Sequence, residues 1–132
     1  MSQENVEIVR RGYERFNDGN IEGFLELCDP ALEFRDLPDL PGSGVVVGHD
    51  AMRAWWAQLY EAFDDLRFHP DEFIDAGDHV VVVNHGTGRG KSSGAFVDIH
   101  FSNVWTLSDG KLTRCVSYSD HAEALEAAGL EE

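Results

Sequence analysis

Three side chains in this chain have the type and the setting to do proton chemistry: Asp36, Asn103 and His85. Asp36 ends a short strand pattern. A carboxylate facing an apolar hollow has its charged form desolvated, which lifts its pKa toward that of a useful base. Asn103 sits in a strand pattern with Phe101, Trp105 and Leu107 on the same face. A buried amide must be satisfied by partners or by a ligand, and its N–H can donate to a carbonyl without holding a labile proton. His85 exchanges protons near neutral pH. Tyr13, either Trp55 or Trp56, Phe101, Trp105 and Ser117 are the side chains expected to bind substrate, the rings offering flat apolar area. Each has a plainer alternative: a turn aspartate for Asp36, a structural amide for Asn103, a bond to a tyrosine or water for His85, and core packing for most of the aromatics.

The remaining reactive residues form no such set. The six histidines, at 49, 69, 79, 85, 100 and 121, show no H-x-x-x-H spacing, and no metal site is expected. Cys28 and Cys115 belong to no C-x-x-C pair and are expected to be buried thiols. The stretch from Gly86 to Lys91 is glycine-rich but matches no complete phosphate-loop pattern, and it reads as a bend and hairpin. No cofactor is expected, because proton transfer beside a carbonyl needs only a base and donors.

Composition narrows the partners. The 132 residues suit a single domain, 1–132, and a hydrophobic fraction of 42% can fill its core. A net charge of −15 repels phosphates, so nucleic acid is not expected as a partner. The opening MSQENVEIVRR has no apolar signal core, and no run reaches the roughly 20 apolar residues of a membrane span. A soluble cytoplasmic protein with no membrane partner is the expectation.

The elements that must carry these residues follow from periodicity. Val6, Val9, Tyr13 and Phe16 make one helical face. Gly19 suits a C-cap and Asn20 caps a second, shorter helix with Ile21, Phe24, Leu25 and Cys28, ended by Pro30. Ala31–Asp36 and Val45–Val47 are short strands around the loop from Leu37 to Gly44. A third helix opens at Gly48–Asp50, with Met52, Trp55, Trp56, Leu59, Tyr60 and Phe63 as its stripe. Four long strands follow, Leu66–Ile74, His79–Arg89, Ala95–Leu107 and Lys111–Ser119, and then a helix-prone tail, His121–Ala128. The turns between them, Asp109-Gly110 above all, predict antiparallel neighbours. Helices followed by a meander predict an α+β fold: a cone-shaped, curved, mainly antiparallel sheet wrapped by three helices from the N-terminal half around an internal pocket. Gly86, Gly88 and Gly90 would let one strand bend sharply.

Alternation assigns faces. Val81, Val83, His85 and Thr87 are taken as facing inward with Asn103, Cys115 and Ser117. His100 then lies on the opposite face from His85. Val80, Val82, Val104, Val116 and Tyr118 are taken as an apolar outer face, wanting cover from a second copy in a homodimer.

Four stretches carry a family likeness: VRRGYERFNDGNIEGFLELCDPALEFRD, GHDAMRAWWAQLYEAF, FIDAGDHVVVV and FSNVWTLSDGKLTRCVSYSDHAEALEAAGL. Over nearly its whole length the chain resembles the nuclear transport factor 2-like superfamily, which includes ketosteroid isomerases and SnoaL-like polyketide cyclases. The resemblance implies a general base at Asp36 and a donor at Asn103. It sets Gly12 where the isomerases keep their oxyanion tyrosine, with Tyr13 about 100° around the helix. It sets Trp56 where they keep a supporting tyrosine. In the cyclases the acid/base aspartate corresponds to Ser117, and an inward histidine to Asn103. The implied function is a small-molecule pocket for a hydrophobic carbonyl compound, with cofactor-independent enolisation or isomerisation. Two alternatives stand beside it: a non-catalytic ligand-binding protein and a polyketide cyclase-like enzyme.

Overall fold

The computed structural model describes residues 2–37 and 44–130. The elements in chain order are α1 (Ser2–Asn17), α2 (Ile21–Leu25), β1 (Cys28–Arg35), β2 (Val45–Val47), α3 (His49–Ala62), β3 (Phe63–Ala76), β4 (His79–Gly90), β5 (Phe96–Ser108), β6 (Lys111–Tyr118) and α4 (His121–Ala127). Most of the loop expected from Leu37 to Gly44 lies outside the described residues.

The six strands form one sheet in the order β2-β1-β6-β5-β4-β3. Every pairing is antiparallel except β1 with β6, which is parallel. That pairing brings the start of the sheet against its last strand, with Phe34 opposite Cys115 and Arg35 opposite Val116. Asp36 therefore emerges beside Ser117. Cys28 belongs to β1 rather than to the second helix, which is shorter than its apolar pattern suggested. Pro30, unable to donate to a ladder, falls in the register irregularity between Cys28 and Glu33.

Helices α1, α2 and α3 pack over one face of the sheet. Val9, Tyr13 and Phe16 of α1, Phe24 and Leu25 of α2, and Met52 and Trp56 of α3 join Leu32, Phe34, Val80, Val82, Trp105, Leu107 and Cys115 in the main core. At the end of α1, the Asn17 side chain pairs with the backbone of Phe68 on β3. Its Nδ2 donates to Phe68 O at 2.7 Å and its Oδ1 accepts from Phe68 N at 2.8 Å. This amide substitutes for a neighbouring strand at the free edge of β3, and it ties the end of the helix to the sheet.

The inner face of β4 is the reverse of the sequence expectation. Val80 and Val82 pair with Trp105 and Asn103 and lie in the main core. Val81 faces outward, in a second cluster with Val104, Ala124, Leu125 and Ala128. The run of four valines offers no alternation to read, and the glycines decide the parity. Gly86 and Gly88 lie on the concave side, where a Cβ would meet the Phe68 ring at 3.0 Å and Leu66 and Phe63 at 3.5 Å respectively. The outer face also differs: α4 folds back over Val81 and Val104, so the protein itself covers part of the surface that suggested a second copy.

Candidate active site

A cavity of about 450 Å³ lies between the helices and the concave face of the sheet. Most of its wall is aromatic or aliphatic, including Phe34, Met52, Trp55, Leu59, Phe63, Phe68 and Phe101. Asp36 is the one carboxylate among the described lining residues, which include no Lys, Arg or His.

Asp36 follows the last residue of β1, where the strand gives way to the loop. Its Oδ1 accepts from the Leu37 N–H at 2.8 Å, and the Trp55 indole also donates to the carboxylate. Burial pushes the carboxyl above the usual carboxylate range, outweighing the pull of those two donors. The result is a carboxylate held in orientation and made more basic by its apolar surroundings.

Beside it runs a chain of hydrogen bonds through the floor of the cavity. Trp105 Nε1 donates to the Tyr13 hydroxyl at 3.1 Å, and Tyr13 donates to Asn103 Oδ1 at 2.7 Å. Asn84 Nδ2 donates to the same Oδ1 at 3.0 Å. Asn103 Nδ2 donates to Ser117 Oγ at 2.8 Å. Burial holds the Tyr13 phenol well above its ordinary pKa, so it stays protonated. Burial likewise raises the Cys115 thiol, and it pushes Cys28 up to about 12. Neither thiol is poised as a nucleophile.

The expected site residues thus separate into two groups. Asp36, Tyr13, Asn103, Trp105, Ser117 and Phe101 all line the cavity. Trp56 and His85 do not. Trp56 is packed in the core, its ring stacked on Tyr60 at 5.3 Å and lying 4.1 Å from Phe16. Its neighbour Trp55 reaches the cavity and bonds Asp36 instead.

His85 lies on the outer face because the parity of β4 is reversed. There it is paired in register between His69 and His100, so His85 and His100 share a face after all. The three rings stack at 4.6 and 4.9 Å, and His85 Nδ1 lies 2.9 Å from Asp71. Gly12 also lines the cavity, but a Cβ there would point at the Phe24 ring at 3.5 Å. Tyr13, one position on, supplies the phenol that meets Asn103.

One contributor escaped sequence reasoning, and a second was left undivided from its neighbour. Asn84 belongs to the buried network, and its Oδ1 has no partner among the described residues. Its signal was its parity with Gly86 and Gly88. Trp55 was indistinguishable from Trp56 by periodicity, because the stripe of α3 is broad enough to include both.

Known proteins fit this architecture. An NTF2-like protein of unknown function from Burkholderia pseudomallei K96243 is 26% identical, covering 93% of this chain and 95% of its own, with a TM-score of 0.79. The protein TerC, co-crystallised with polyporic acid, is 28% identical over 96% of this chain and 98% of its own, with a TM-score of 0.78. A protein of ketosteroid isomerase-like fold from Catenulispora acidiphila DSM 44928, in complex with trimethylamine, is 16% identical over 94% and 93%, with a TM-score of 0.77, a likeness of fold alone. A comparison with curated protein sequences gives no match. The SnoaL-like domain family matches residues 9–115, most of the chain. With that match and the cone of helices and curved sheet, the chain belongs to the SnoaL-like domain family.

Proposed function

We propose that the cavity takes up a small hydrophobic carbonyl compound and that Asp36 moves a proton on the carbon beside its carbonyl, as in enolisation or isomerisation. The observation that carries this reading is the carboxylate itself. It stands in an apolar cavity, its pKa is raised by burial, and it is oriented by Trp55. A base of that kind needs no metal or cofactor to abstract an acidic C–H proton. The aromatic wall supplies the hydrophobic contact for the body of the ligand.

Asp36→Asn tests the reading. The variant keeps the shape of the carboxyl and the acceptor for Leu37 N–H but loses the base. It should bind apolar ketones as the parent does and turn none of them over. Unchanged turnover in Asp36→Asn would remove Asp36 from the chemistry. A second reading is carriage of a ligand without reaction. It is favoured by the buried network, whose Tyr13 proton is spent on Asn103 rather than held out to a ligand. Support for ligand uptake in either reading comes from TerC, which was co-crystallised with polyporic acid. A thermal-shift screen of apolar ketones followed by product analysis separates the two, since any transformed ligand excludes simple carriage.

A further inference from the structure

Three histidines form a row on the outer face of the sheet, and the site in the cavity does not use them. His69, His85 and His100 are cross-strand partners on β3, β4 and β5. Their rings stack at 4.6 and 4.9 Å, with interplanar angles of 18° and 20°. Two of them have a carboxylate: Asp71 Oδ2 lies 2.9 Å from His85 Nδ1, and Asp98 Oδ1 lies 3.4 Å from His100 Nε2. His69 has a neutral partner, the Thr87 hydroxyl, 2.9 Å from its Nε2. Register places Arg67 and Glu72 on the rows to either side. Tyr118 pairs with Ser102, two residues beyond His100, and His121 of α4 hydrogen-bonds the same serine.

The row stands at a weak place in the sheet. β3 is an edge strand, and β4 is its one neighbour in the sheet. Their pairing is irregular between Asp64 and Arg67 and again between Pro70 and Glu72. Residues 67–70 are therefore a short paired segment with a break at each end. Asp65 takes a positive φ of 55° at the first break, and Pro70, unable to donate to a ladder, borders the second. The same segment backs the cavity. Neighbours along a strand face opposite ways, so Phe68 stands behind His69, Gly86 behind His85 and Phe101 behind His100, and all three line the cavity. The Phe68 ring lies so close over Gly86 that a Cβ there would meet it at 3.0 Å.

We infer that the histidine row is a pH-dependent latch: uncharged, it holds residues 67–70 against β4, and charged, it releases them and opens the cavity wall at Phe68. The inference stands apart from any role of Asp36. Imidazole takes up its proton within roughly pH 8 to 5. Charge on His85 and His100 is met by Asp71 and Asp98. Charge on His69 faces the charged His85 ring at 4.6 Å, with Arg67 two residues away on the same strand. Like charges at that distance repel, and the repulsion exists only while the segment is paired. Acid therefore favours the released segment and neutral pH the paired one. The Asn17 amide still ties the Phe68 backbone to α1, which keeps the opening local.

The test is amide hydrogen exchange of the full-length protein at about pH 8 and about pH 5.5, read by mass spectrometry and corrected for intrinsic rates. Exchange at 66–70 and 84–88 should rise on the order of tenfold at the lower pH, with β6 still protected. Acrylamide quenching of tryptophan fluorescence should rise with it, because Trp55 and Trp105 line the cavity. His69→Gln keeps a donor for Thr87 and takes no charge, and it should abolish both rises. His85→Gln, which removes the facing charge, should do the same. His49→Gln, whose ring meets Cys28 O away from the row, should retain them. Melting curves exclude unfolded variants.

No rise in the parent, or a rise that survives in folded His69→Gln and His85→Gln, overturns the latch. So does a rise spread evenly over all six strands, which is general loosening by acid. A rise that disappears in Asp36→Asn instead belongs to the buried carboxylate and also counts against it. Faster exchange with unchanged quenching overturns the link to the cavity.

Discussion

Asn103→Leu should destabilise the fold by about 1–3 kcal/mol, a figure that follows from the fate of each hydrogen-bond partner. Leucine keeps the branched heavy-atom skeleton of asparagine, with bulkier methyls where the amide oxygen and nitrogen stand, so the shape is retained and the main loss is that of the amide. Tyr13 and Ser117 border the cavity, where water can replace Asn103, so each forfeits only part of a bond. Asn84 is 1% exposed and its Oδ1 already has no partner among the described residues. Without Asn103 its Nδ2 keeps only the 3.4 Å approach to Val82 O. A buried polar group left in that state costs about 1–3 kcal/mol, against which the gain from an apolar side chain is about 1 kcal/mol.

Urea unfolding measures the difference directly, as a shifted midpoint at constant slope. The melting temperature should fall by roughly 3–5 °C for each kcal/mol in a domain of this size. The double variant Asn84→Leu/Asn103→Leu should recover stability relative to Asn103→Leu, since removing both partners leaves nothing orphaned. An Asn103→Leu protein as stable as the parent, or a double variant weaker than the single one, would refute the view that Asn103 is the hub of the network.

Other predictions follow from individual sites. Folding holds the Asp36 carboxyl above its unfolded value, so the folded state binds that proton more tightly and loses stability as pH rises through the interval between the two. Asp36→Asn should therefore raise stability at pH 7, with the gain fading as pH falls below the ordinary carboxylate range; urea titrations at the two ends check it, and a loss at pH 7 contradicts it. Turnover dependent on Asp36 should decline as pH falls through its raised pKa, and a Trp55→Phe variant, deprived of the indole donor, should show that decline at higher pH. Gly12→Ala, whose Cβ meets Phe24 at an ordinary 3.5 Å within α1, should stabilise by about 0.5–1 kcal/mol in the same assay. Leu125→Ala opens the cluster of α4 with Val81 and Val104 and should cost about 2–3 kcal/mol.

The long strands, the first and third helices and the turns were legible because their periods are long and their punctuation strong. Asp109 and Gly110, for instance, take the positive φ angles of 51° and 76° that their types favour. The face of β5 was legible too, since Phe101, Trp105 and Leu107 contrast with His100, Ser102 and Thr106. On β4 the valines erase that contrast, and His85 was carried inward with the wrong parity. Hydropathy could not correct it, but the glycines could, because the concave side of a bent strand is where Cβ atoms collide. Trp55 and Trp56 exemplify another limit. Adjacent aromatics on a wide helical stripe are both buried, and the choice of which one bonds Asp36 is made by tertiary packing. The route of the hydrogen bonds from Trp105 to Ser117 was not legible, because it depends on which donor meets which acceptor across α1, β5 and β6.

The parallel pairing of β1 with β6 also governs when the site comes into being. Asp36 is made early on the ribosome and Ser117 late, and no contact between them exists until the last long strand has emerged and docked beside the first. Closing so long a loop is entropically slow. The helices and the β3–β4–β5 meander, whose partners are near in sequence, can assemble before it. A nascent chain therefore passes through a stage in which the hollow is formed but Asp36 has no β6 beside it. The same seam offers a place to divide the protein: separate fragments ending and beginning between β2 and β3 would each carry one strand of this pairing, and recovery of the folded sheet would report their reunion.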